Sequence, residues 1–521
     1  MKKILLGALL GITPSLLMAQ SAIDAYQLSQ SDLKGTARFI SMGGAFGALG
    51  GDLSTMTQNP AGIGVYRSSE IGVTLDINIQ GTKSNSLGYS MSEDQTKVYC
   101  PNFGYVGALK LNGDVMPYLN WGISYGRTAS FDRIYSGHMP SISTSMSNFI
   151  ADFSNGYSPN DLGMTDDYNP YWHSDADWLS ILAYNSYLIN PIGNSTEYQG
   201  LFKNGVTTGN AEFFVRERGY VDEYSINLGG NFVNSIYWGV GLGITDLDYI
   251  NQTFYDEELT NANIPTADGN ATTNGNAYYY LDNFKHISGT GVNFKAGLIF
   301  KPINEFRLGF AVHTPTFYDL RHDYDAVTDF SYSTGIEGSD YTEIAIFDSK
   351  LQTPWRLMAS AATVLGGRAI ISADYEYVAY NDMSMDDGYG YSLNDVNQDI
   401  DNYFKGQNNF RVGAEFRITP KFSVRAGYNY QESNVKDGAK NGADYVYTSG
   451  TDPSYTFDNK TQYITCGLGY RTGGFYIDAA YVHKDRESEF HAFSDFNGNE
   501  APKAIIKDNN NSIVMSIGYK F

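Results

Sequence analysis

The sequence alternates apolar and polar residues over stretches of about ten residues, which is the period of a β-strand with two different faces. The last ten residues show the pattern most clearly, with one face formed by Ile513, Met515, Ile517, Tyr519 and Phe521. In a membrane barrel one face of each strand meets lipid and the other meets the lumen. The alternation therefore predicts strands that cross a membrane.

Fourteen segments carry this pattern: 70–81, 99–111, 117–131, 221–234, 236–249, 287–301, 304–317, 351–365, 368–381, 408–419, 421–433, 460–471, 474–487 and 512–521. The connections alternate between short turns, such as Gly366-Gly367, and the long segments 82–98, 132–220, 250–286, 318–350, 382–407, 434–459 and 488–511. Short turns at one end and long loops at the other are typical of bacterial outer-membrane barrels. We therefore predict an all-β, multi-pass antiparallel barrel of about fourteen strands in that membrane.

The chain begins with the pattern of a secretory signal peptide. Lys2 and Lys3 precede an apolar run that ends at Met18, and Ala19 supplies a small residue for cleavage. The alternative is a membrane anchor. The pattern predicts a signal peptide over 1–19, a pre-barrel segment over 20–69 and the barrel over 70–521.

The segment 132–220 is too long for an ordinary connection and is expected to contain structure of its own. Stretches 141–153 and 177–188 have the spacing of short helices, which would cap the mouth of the barrel. Their apolar side chains Phe149, Phe153, Trp178 and Leu182 form a candidate groove for a hydrophobic ligand. The alternative is that they form the loop's own small core.

Composition and charge exclude several classes of protein. The net charge is −22 and becomes −24 once Lys2 and Lys3 are removed, so nucleic-acid binding is not expected. Most acidic residues fall in the long loops, where solvation explains them, and bridging of divalent ions or lipopolysaccharide is the alternative. With only Cys100 and Cys466 present, the latter on an apolar strand face, two unpaired thiols are expected.

The pre-barrel segment carries a glycine-rich run with Gly43, Gly44, Gly50 and Gly51, followed by Asn59-Pro60-Ala61. This run resembles the N-terminal hatch of the FadL/TodX-type outer-membrane transporters of long-chain fatty acids and aromatic hydrocarbons. Later segments that are similar to the family include 309–315, 353–357, 374–377 and 411–416. The resemblance is strongest to members from Bacteroidetes, some described as haemin receptors.

The resemblance implies a plugged barrel in which a ligand enters at the outer loops and leaves sideways through the wall. By analogy, the third strand, near 117–131, would form the opening. A passive transporter of small hydrophobic molecules, such as long-chain fatty acids, is therefore expected, with no cofactor and no metal. The expected partners are outer-membrane lipid and, through the terminal Phe521, the barrel assembly machinery, and a monomer is expected.

Strand parity places eleven charged residues toward the lumen: Asp76, Lys295, Arg307, Arg356, Asp374, Glu376, Arg411, Glu415, Arg417, Arg425 and Asp478. Charges at bilayer depth must be paired or hydrated. The five arginines are candidates for holding a ligand carboxylate, because the planar guanidinium donates paired hydrogen bonds. The alternative is an ion-pair network that braces the hatch.

Other functions were weighed against transport. Haem needs an axial ligand, and His138, His173 and His491 lie in predicted outer loops. The sequence lacks the Gly-x-Ser-x-Gly and His-Glu-x-x-His motifs of hydrolases, so an enzyme is not expected. A structural or adhesive barrel whose loops bind a host or matrix is the remaining alternative.

Overall fold

The computed structural model describes residues 20–193, 195–269 and 271–521, so the predicted signal peptide 1–19 lies outside the described residues. Fourteen antiparallel strands form the wall: β1 (Glu70–Ser86), β2 (Tyr89–Lys110), β3 (Tyr118–Ser130), β4 (Thr208–Phe232), β5 (Ile236–Pro265), β6 (Thr272–Ile303), β7 (Phe306–His313), β8 (Arg356–Leu365), β9 (Ala369–Val378), β10 (Gln407–Arg417), β11 (Phe422–Gln431), β12 (Tyr455–Thr472), β13 (Phe475–His491) and β14 (Lys503–Lys520). Each strand pairs with the next, and β14 pairs with β1 from Glu70–Lys520 to Asn85–Ile505. The barrel is therefore closed, as the alternation predicts.

Five further strands extend the wall above the membrane: Arg133–Met139, Phe317–Tyr332, Glu337–Tyr341, Ala345–Gln352 and Ser384–Asp387. Two of the breaks that separate them from the wall contain Pro315 and Pro354, and proline cannot donate to a strand ladder. The short pair Asn190–Pro191 and Tyr198–Gln199 forms a separate sheet.

Helices occupy the N-terminal segment and the outer loops. They are α1 (Ala22–Leu28), α2 (Ala37–Ser41), α3 (Thr55–Gln58), α4 (Met146–Phe153), α5 (Pro159–Leu162), α6 (Pro170–His173), α7 (Trp178–Asn185), α8 (Asn394–Tyr403) and α9 (Asp437–Lys440), with 3-10 turns at Pro60–Val65 and Tyr380–Asp382. No helix in the described ranges is long and apolar enough to cross a bilayer. The two loop helices predicted near 141–153 and 177–188 correspond to α4 and α7.

The outer face of the wall is an apolar belt that the alternation creates. On β1 every second residue is exposed, from Ile71 to Ile79, while the intervening residues are buried. Those nine residues span about 26 Å along the strand, and about nine to eleven residues are what a tilted strand needs to cross the hydrocarbon. Cys466 is exposed on this belt, and it and Cys100 are both unpaired.

Several segments that the pattern places in loops are upward extensions of the wall strands. The segments 250–286 and 82–98 are almost entirely strand, and the wall part of the predicted loop 132–220 begins again at residue 208. The loop prediction fails here because these extensions rise above the membrane. Their outward faces meet water, so they carry Tyr, Asp and Glu instead of the apolar residues that the belt requires.

The outer loops pack into a domain with its own apolar core. Helices α4 and α7 share this core with the upper ends of β4, β5 and β6 and with the loop that follows β13. The core includes Phe149, Leu182, Phe213 and Phe493. A packed outer domain therefore covers one side of the barrel mouth.

The belt makes a prediction for stability in lipid. Leu75 lies in the middle of the belt on β1 and is 55% exposed. We expect Leu75→Arg to destabilise the folded barrel by about 2–4 kcal/mol, because the charge meets hydrocarbon. Leu365→Arg, at the last residue of β8 and 51% exposed, is the matched control at the edge of the belt and should cost at most about 1 kcal/mol. Denaturant unfolding in vesicles, followed by tryptophan fluorescence, measures both; equal losses would contradict the placement of the belt.

Candidate functional site in the barrel lumen

Residues 37–66 lie inside the lower lumen and cross it from wall to wall. Gly43, Gly44, Gly50 and Gly51 all have φ between +64° and +76°, a backbone region that favours glycine, so the chain can fold back on itself within the barrel. Asn59 accepts a hydrogen bond from Ala61 N at 3.1 Å and donates to Gly47 O at 2.6 Å. The asparagine thus caps the 3-10 turn and ties it to the glycine-rich run.

Wall glycines contact this segment on ten of the fourteen strands. This glycine ring consists of Gly72, Gly104, Gly122, Gly229, Gly239, Gly297, Gly309, Gly413, Gly427 and Gly467. A Cβ on Gly239 would lie 2.1 Å from Pro60 O, and a Cβ on Gly427 would lie 2.1 Å from Gly43 N. At Gly239, Gly309 and Gly427 the nearest atoms of the segment are backbone atoms, whereas other ring glycines meet its side chains, such as Leu53 and Ile63. Because the ring positions have no side chain, the N-terminal segment packs directly against the wall.

Buried charges join the same segment to the wall. Arg38 in α2 lies 2.9 Å from Glu415, which also lies 2.7 Å from Arg425, and Arg425 lies 2.6 Å from Asp478. Gly47 N donates to Asp374 at 3.0 Å. Among the described residues, Arg425 is only 4% exposed and is held in this ion-pair network. The network joins the N-terminal segment to the wall, which is the alternative to binding of a ligand carboxylate by Arg425.

A polar cavity of about 170 Å³ lies above this floor. Of the five candidate arginines, Arg356 and Arg411 line it. Both face Glu376, and Arg356 also donates to Ser31 Oγ at 2.8 Å. Arg307 lies lower and donates to Leu49 O at 2.7 Å, while Arg417 is exposed at the end of β10. The structure therefore brings two of the five to one cavity.

Above the cavity, the upper lumen is apolar and is filled by helix α1. Its chamber is lined by Phe131, Val221, Leu247, Tyr249, Ile287, Tyr318, Leu320, Leu351, Val378, Phe404 and Phe457. Tyr26 of α1 stacks on Phe404 with ring centroids 5.0 Å apart. Asp24 of the same helix lies 2.9 Å from Lys285 of β6. The lumen thus has a clamped floor, a polar middle and an apolar upper chamber.

The wall has a break between β2 and β3. Their ladder ends at the pair Asn102–Gly126, although β2 continues upward along β1 to Tyr89. Beyond this point the third strand continues as Arg133–Met139, which pairs with β4. Arg133 reaches Asp508 on β14 at 2.8 Å, so this part of the chain has turned inward. Two adjacent wall strands therefore separate at their upper ends.

Polar side chains close the break from the lumen side. Lys97 lies 3.1 Å from Asp132 across it, and Arg127 lies 2.8 Å from Asp222 on β4. Lys34 of the N-terminal segment lies 3.1 Å from Asp76 and donates to Tyr99 Oη at 2.5 Å. These contacts are side-chain contacts, which can open without breaking a strand ladder.

The three-dimensional arrangement matches solved outer-membrane transporters. A FadL homologue of Pseudomonas aeruginosa superposes with a TM-score of 0.52 at 13% identity, covering 94% of this chain and 99% of that one. The deltaS2 mutant of the monoaromatic hydrocarbon channel TodX, a protein of P. putida, superposes with a TM-score of 0.51 at 13% identity, covering 94% and 100%. The chain has the FadL-type fold. No protein-family model and no curated protein sequence matches it.

Within this FadL-type fold, the predicted outer-loop groove is not an open surface. Phe149 and Leu182 are 6% and 1% exposed in the outer core, while Phe153 and Trp178 are half-buried beside it. Phe149 stacks on Phe493 with centroids 5.3 Å apart. These side chains form the core of the outer domain, which is the alternative reading of the same residues.

An open apolar groove of the FadL-type barrel faces lipid. A groove of about 690 Å³ lies on the outside of β5–β9, where Val240, Leu298, Phe310 and Leu357 flank the small Ala359. All four flanking side chains belong to the exposed belt. The groove is therefore part of the bilayer-facing surface and is separate from the lumen.

The three histidines weighed as haem ligands are all engaged. His138 lies 2.9 Å from Glu212, and His173 Nδ1 lies 2.8 Å from Asn169 O. His491 stacks on Tyr455 at 4.7 Å, and burial lowers its pKa to about 3. None of the three stands free beside another histidine in the described residues.

Sequence reasoning missed the upper chamber and its cation. Lys285 falls within 250–286, which the pattern assigned to a loop. It is therefore absent from the charged residues that strand parity places toward the lumen. The inward positions Leu281, Asn283 and Ile287 do alternate with outward Asp282 and Phe284. Aromatic residues on the outward face obscured this alternation, because both faces of the strand then carry apolar residues.

The glycine ring generates a prediction. We expect Gly427→Val to displace residues 42–43 from the wall, because the added side chain overlaps Met42 and Gly43 backbone atoms. The barrel itself should fold, since valine favours strands. Recordings in planar bilayers should then show channel openings, whereas the wild-type protein should show a conductance near zero. Gly81→Val, on β1 beside only the flexible Asp94 side chain and Asn509 O, is the control and should stay closed.

Proposed function

We propose that this protein is a passive outer-membrane transporter of small hydrophobic molecules, such as long-chain fatty acids, with residues 20–69 as its hatch. The observation that carries the proposal is the break between β2 and β3 above a sealed floor. The close packing of residues 37–66 against the glycine ring obstructs a downward path for a ligand in the lumen. The separated strands offer it a way sideways into the bilayer.

A lateral route suits an apolar ligand for an energetic reason. Transfer of hydrocarbon from water into an apolar environment contributes roughly 0.8 kcal/mol per buried CH₂. A molecule that leaves through the wall passes from the apolar chamber into hydrocarbon and never has to be rehydrated in the periplasm. The gradient of the ligand and this transfer drive the movement, so no cofactor is needed.

The fold supports the same class of ligand. The solved neighbours include a FadL homologue and a monoaromatic hydrocarbon channel. The polar middle of the lumen, with Arg356 and Arg411 at its edge, suits a ligand that also carries a polar head. We propose these two arginines, rather than Arg307, Arg417 or Arg425, as ligand-facing residues.

Assembly of the barrel is proposed to depend on its C-terminus. Phe521 is 60% exposed, next to β14, and its N–H donates to Ser69 O at 3.0 Å. An exposed terminal aromatic on the last strand is available to the outer-membrane assembly machinery. The closed hydrogen-bond ladder leaves the wall without a free edge in the belt, which favours a monomer.

Cross-linking the break tests the route. A bifunctional, reducible thiol reagent would join native Cys100 on β2 to Thr128→Cys on β3, with Cys466 replaced by Ser. We expect oleate uptake by cells that lack their own fatty-acid transporter to fall at least tenfold, because the linker bridges the break and blocks the passage. Reduction of the linker should restore uptake.

The control uses the second native thiol on an intact ladder. Cys466 on β12 is the register partner of Ala426 on β11, so the same reagent would join Cys466 to Ala426→Cys with Cys100 replaced by Ser. This link should leave uptake unchanged. Full uptake through a completely cross-linked break would refute the lateral route. No uptake by the unmodified protein would refute the transporter and favour a structural or adhesive barrel.

A further inference from the structure

The upper part of β2 has a strand neighbour on one side only. Residues 89–99 pair with β1 throughout. On the other side, the ladder between β2 and β3 begins only at Asn102. The strand Arg133–Met139, which continues the chain beyond β3, pairs with β4 instead. Within the part of the chain that the structure describes, residues 89–99 therefore form an edge with which no other strand pairs.

The turn at the tip of the β1–β2 hairpin fixes which backbone groups of this edge are free. Leu87 and Gly88 have φ of 47° and 92°, the left-handed pair that is typical of a two-residue hairpin turn. In such a hairpin the flanking pair Ser86–Tyr89 is hydrogen-bonded, and hydrogen-bonded pairs then alternate with pairs that are not. Every second residue after Tyr89 therefore directs its N–H and C=O away from β1. These free-edge residues are Ser90, Ser92, Asp94 and Thr96.

This edge lacks the features that usually protect an edge strand from pairing, which are proline, a bulge and lysine. Residues 90–96 contain none of them. The side chains of the free-edge residues are exposed and, apart from Asp94, small and uncharged. Pro101 and a register shift do occur, but lower on β2, next to the point where β3 leaves. The upper edge is therefore accessible to a further strand.

The free edge lies outside the hydrocarbon, on the side of the long loops. The apolar belt on β1 ends at Ile79, whose neighbours on β2 and β14 are the polar Thr96 and Asn511. Ser92 pairs with Lys83, which lies roughly 13 Å beyond Ile79 along the strand. A strand that pairs with this edge would therefore belong to a protein at the cell surface.

Beside the edge lies a strip of aromatic side chains that face away from the lumen. Ser136 Oγ donates to Glu93 of β2 at 2.7 Å, and Phe214 on β4 is the register partner of Ser136. Phe214 pairs in turn with Phe254 on β5, whose ring centroid lies 4.8 Å from that of Tyr280 on β6. The three rings of this outer strip are half-buried. Apolar surface above the membrane is typical of a contact with another protein.

Carboxylates border the outer strip without a matching cation. Glu212 and Asp256 are register partners above the strip, and Glu258 follows on the same face of β5. Among the described residues, no lysine or arginine lies within salt-bridge distance of these three, and His138 lies 2.9 Å from Glu212. Burial and the neighbouring carboxylates raise the pKa of Asp256, which lies above the membrane, to about 7. The charge of this face therefore favours a basic partner.

We propose that the upper edge of β2 is a docking site for a basic, extended segment of another protein at the cell surface, which adds to the wall as a further strand. The backbone of that segment pairs with the free-edge residues. Its apolar side chains cover the outer strip, and its basic side chains meet Glu212 and Asp256. This interaction is a role beyond transport, and it does not depend on the ligand of the lumen.

A proline at the free edge tests the backbone pairing. Ser92→Pro removes one free N–H and leaves the ladder with β1 intact, because that N–H points away from β1. Ser92→Ala keeps the N–H and is the matched control. The probe is a fluorescein-labelled peptide of alternating lysine and valine, and the same peptide with N-methylated peptide bonds keeps the charge but cannot form a ladder. Fluorescence anisotropy measures binding to the detergent-purified mature protein, and folded-barrel gel mobility shows that each variant folds.

The wild type and Ser92→Ala should bind the lysine–valine peptide equally well, whereas Ser92→Pro should bind it at least tenfold more weakly. The N-methylated peptide should also bind the wild type at least tenfold more weakly. Bound peptide should slow amide hydrogen exchange within residues 89–98. Equal binding of the two peptides, or equal binding by the two variants, would show that charge alone attracts the peptide and would overturn the proposal, as would the absence of binding.

The acidic border provides an independent test. Glu212→Gln combined with Glu258→Gln should weaken binding of the lysine–valine peptide about tenfold. Asp319→Asn removes an 82% exposed carboxylate from the strand Phe317–Tyr332, and this control should leave binding unchanged. If light scattering shows a dimer that Ser92→Pro dissociates, a second copy of this chain occupies the edge and the proposed partner is wrong. These measurements do not involve oleate uptake, so the transporter proposal stands or fails separately.

Discussion

The hydrogen-bond ladder of the wall governs everything else in this molecule, because hydrocarbon offers no partner for an unpaired backbone N–H or C=O. Closure through β14 and β1 satisfies that requirement around the belt. Between β2 and β3 the ladder ends at the pair Asn102–Gly126, and polar side chains take over from backbone hydrogen bonds above it. A wall that must otherwise remain closed can therefore open at this place at the cost of side-chain contacts.

The floor and the upper chamber are held by different forces, and this difference organises the lumen. At the floor, glycines on ten strands let residues 37–66 pack directly against the wall, and the ion pairs of Arg38 and Arg425 add directional contacts. In the upper chamber, helix α1 is held by apolar burial, by the ion pair of Asp24 with Lys285 and by a hydrogen bond from Gln27 to Glu217. The floor therefore depends on close packing at glycine positions, whereas the upper chamber depends on side-chain contacts.

Periodicity recovered the wall because the belt and the lumen impose opposite polarity on successive residues. It placed Leu75 toward lipid and Asp374 toward the lumen, and the observed exposures agree. The same rule failed for 250–286, where the strands rise out of the membrane and both faces tolerate aromatic residues. Lys285 lies in that segment and was therefore not predicted to face the lumen. The glycines that form the ring were visible individually, but nothing along the chain indicates that they lie at one level of ten strands.

The sequence by itself determined the barrel and its strand number, since these depend on local alternation. Only the tertiary structure decided which lumen charges pair with each other. It also decided that Arg425 braces the floor while Arg356 and Arg411 face the cavity, and that Asp24 meets Lys285. Those partners are separated by up to hundreds of residues, and closure of the barrel, rather than any local preference, brings them together.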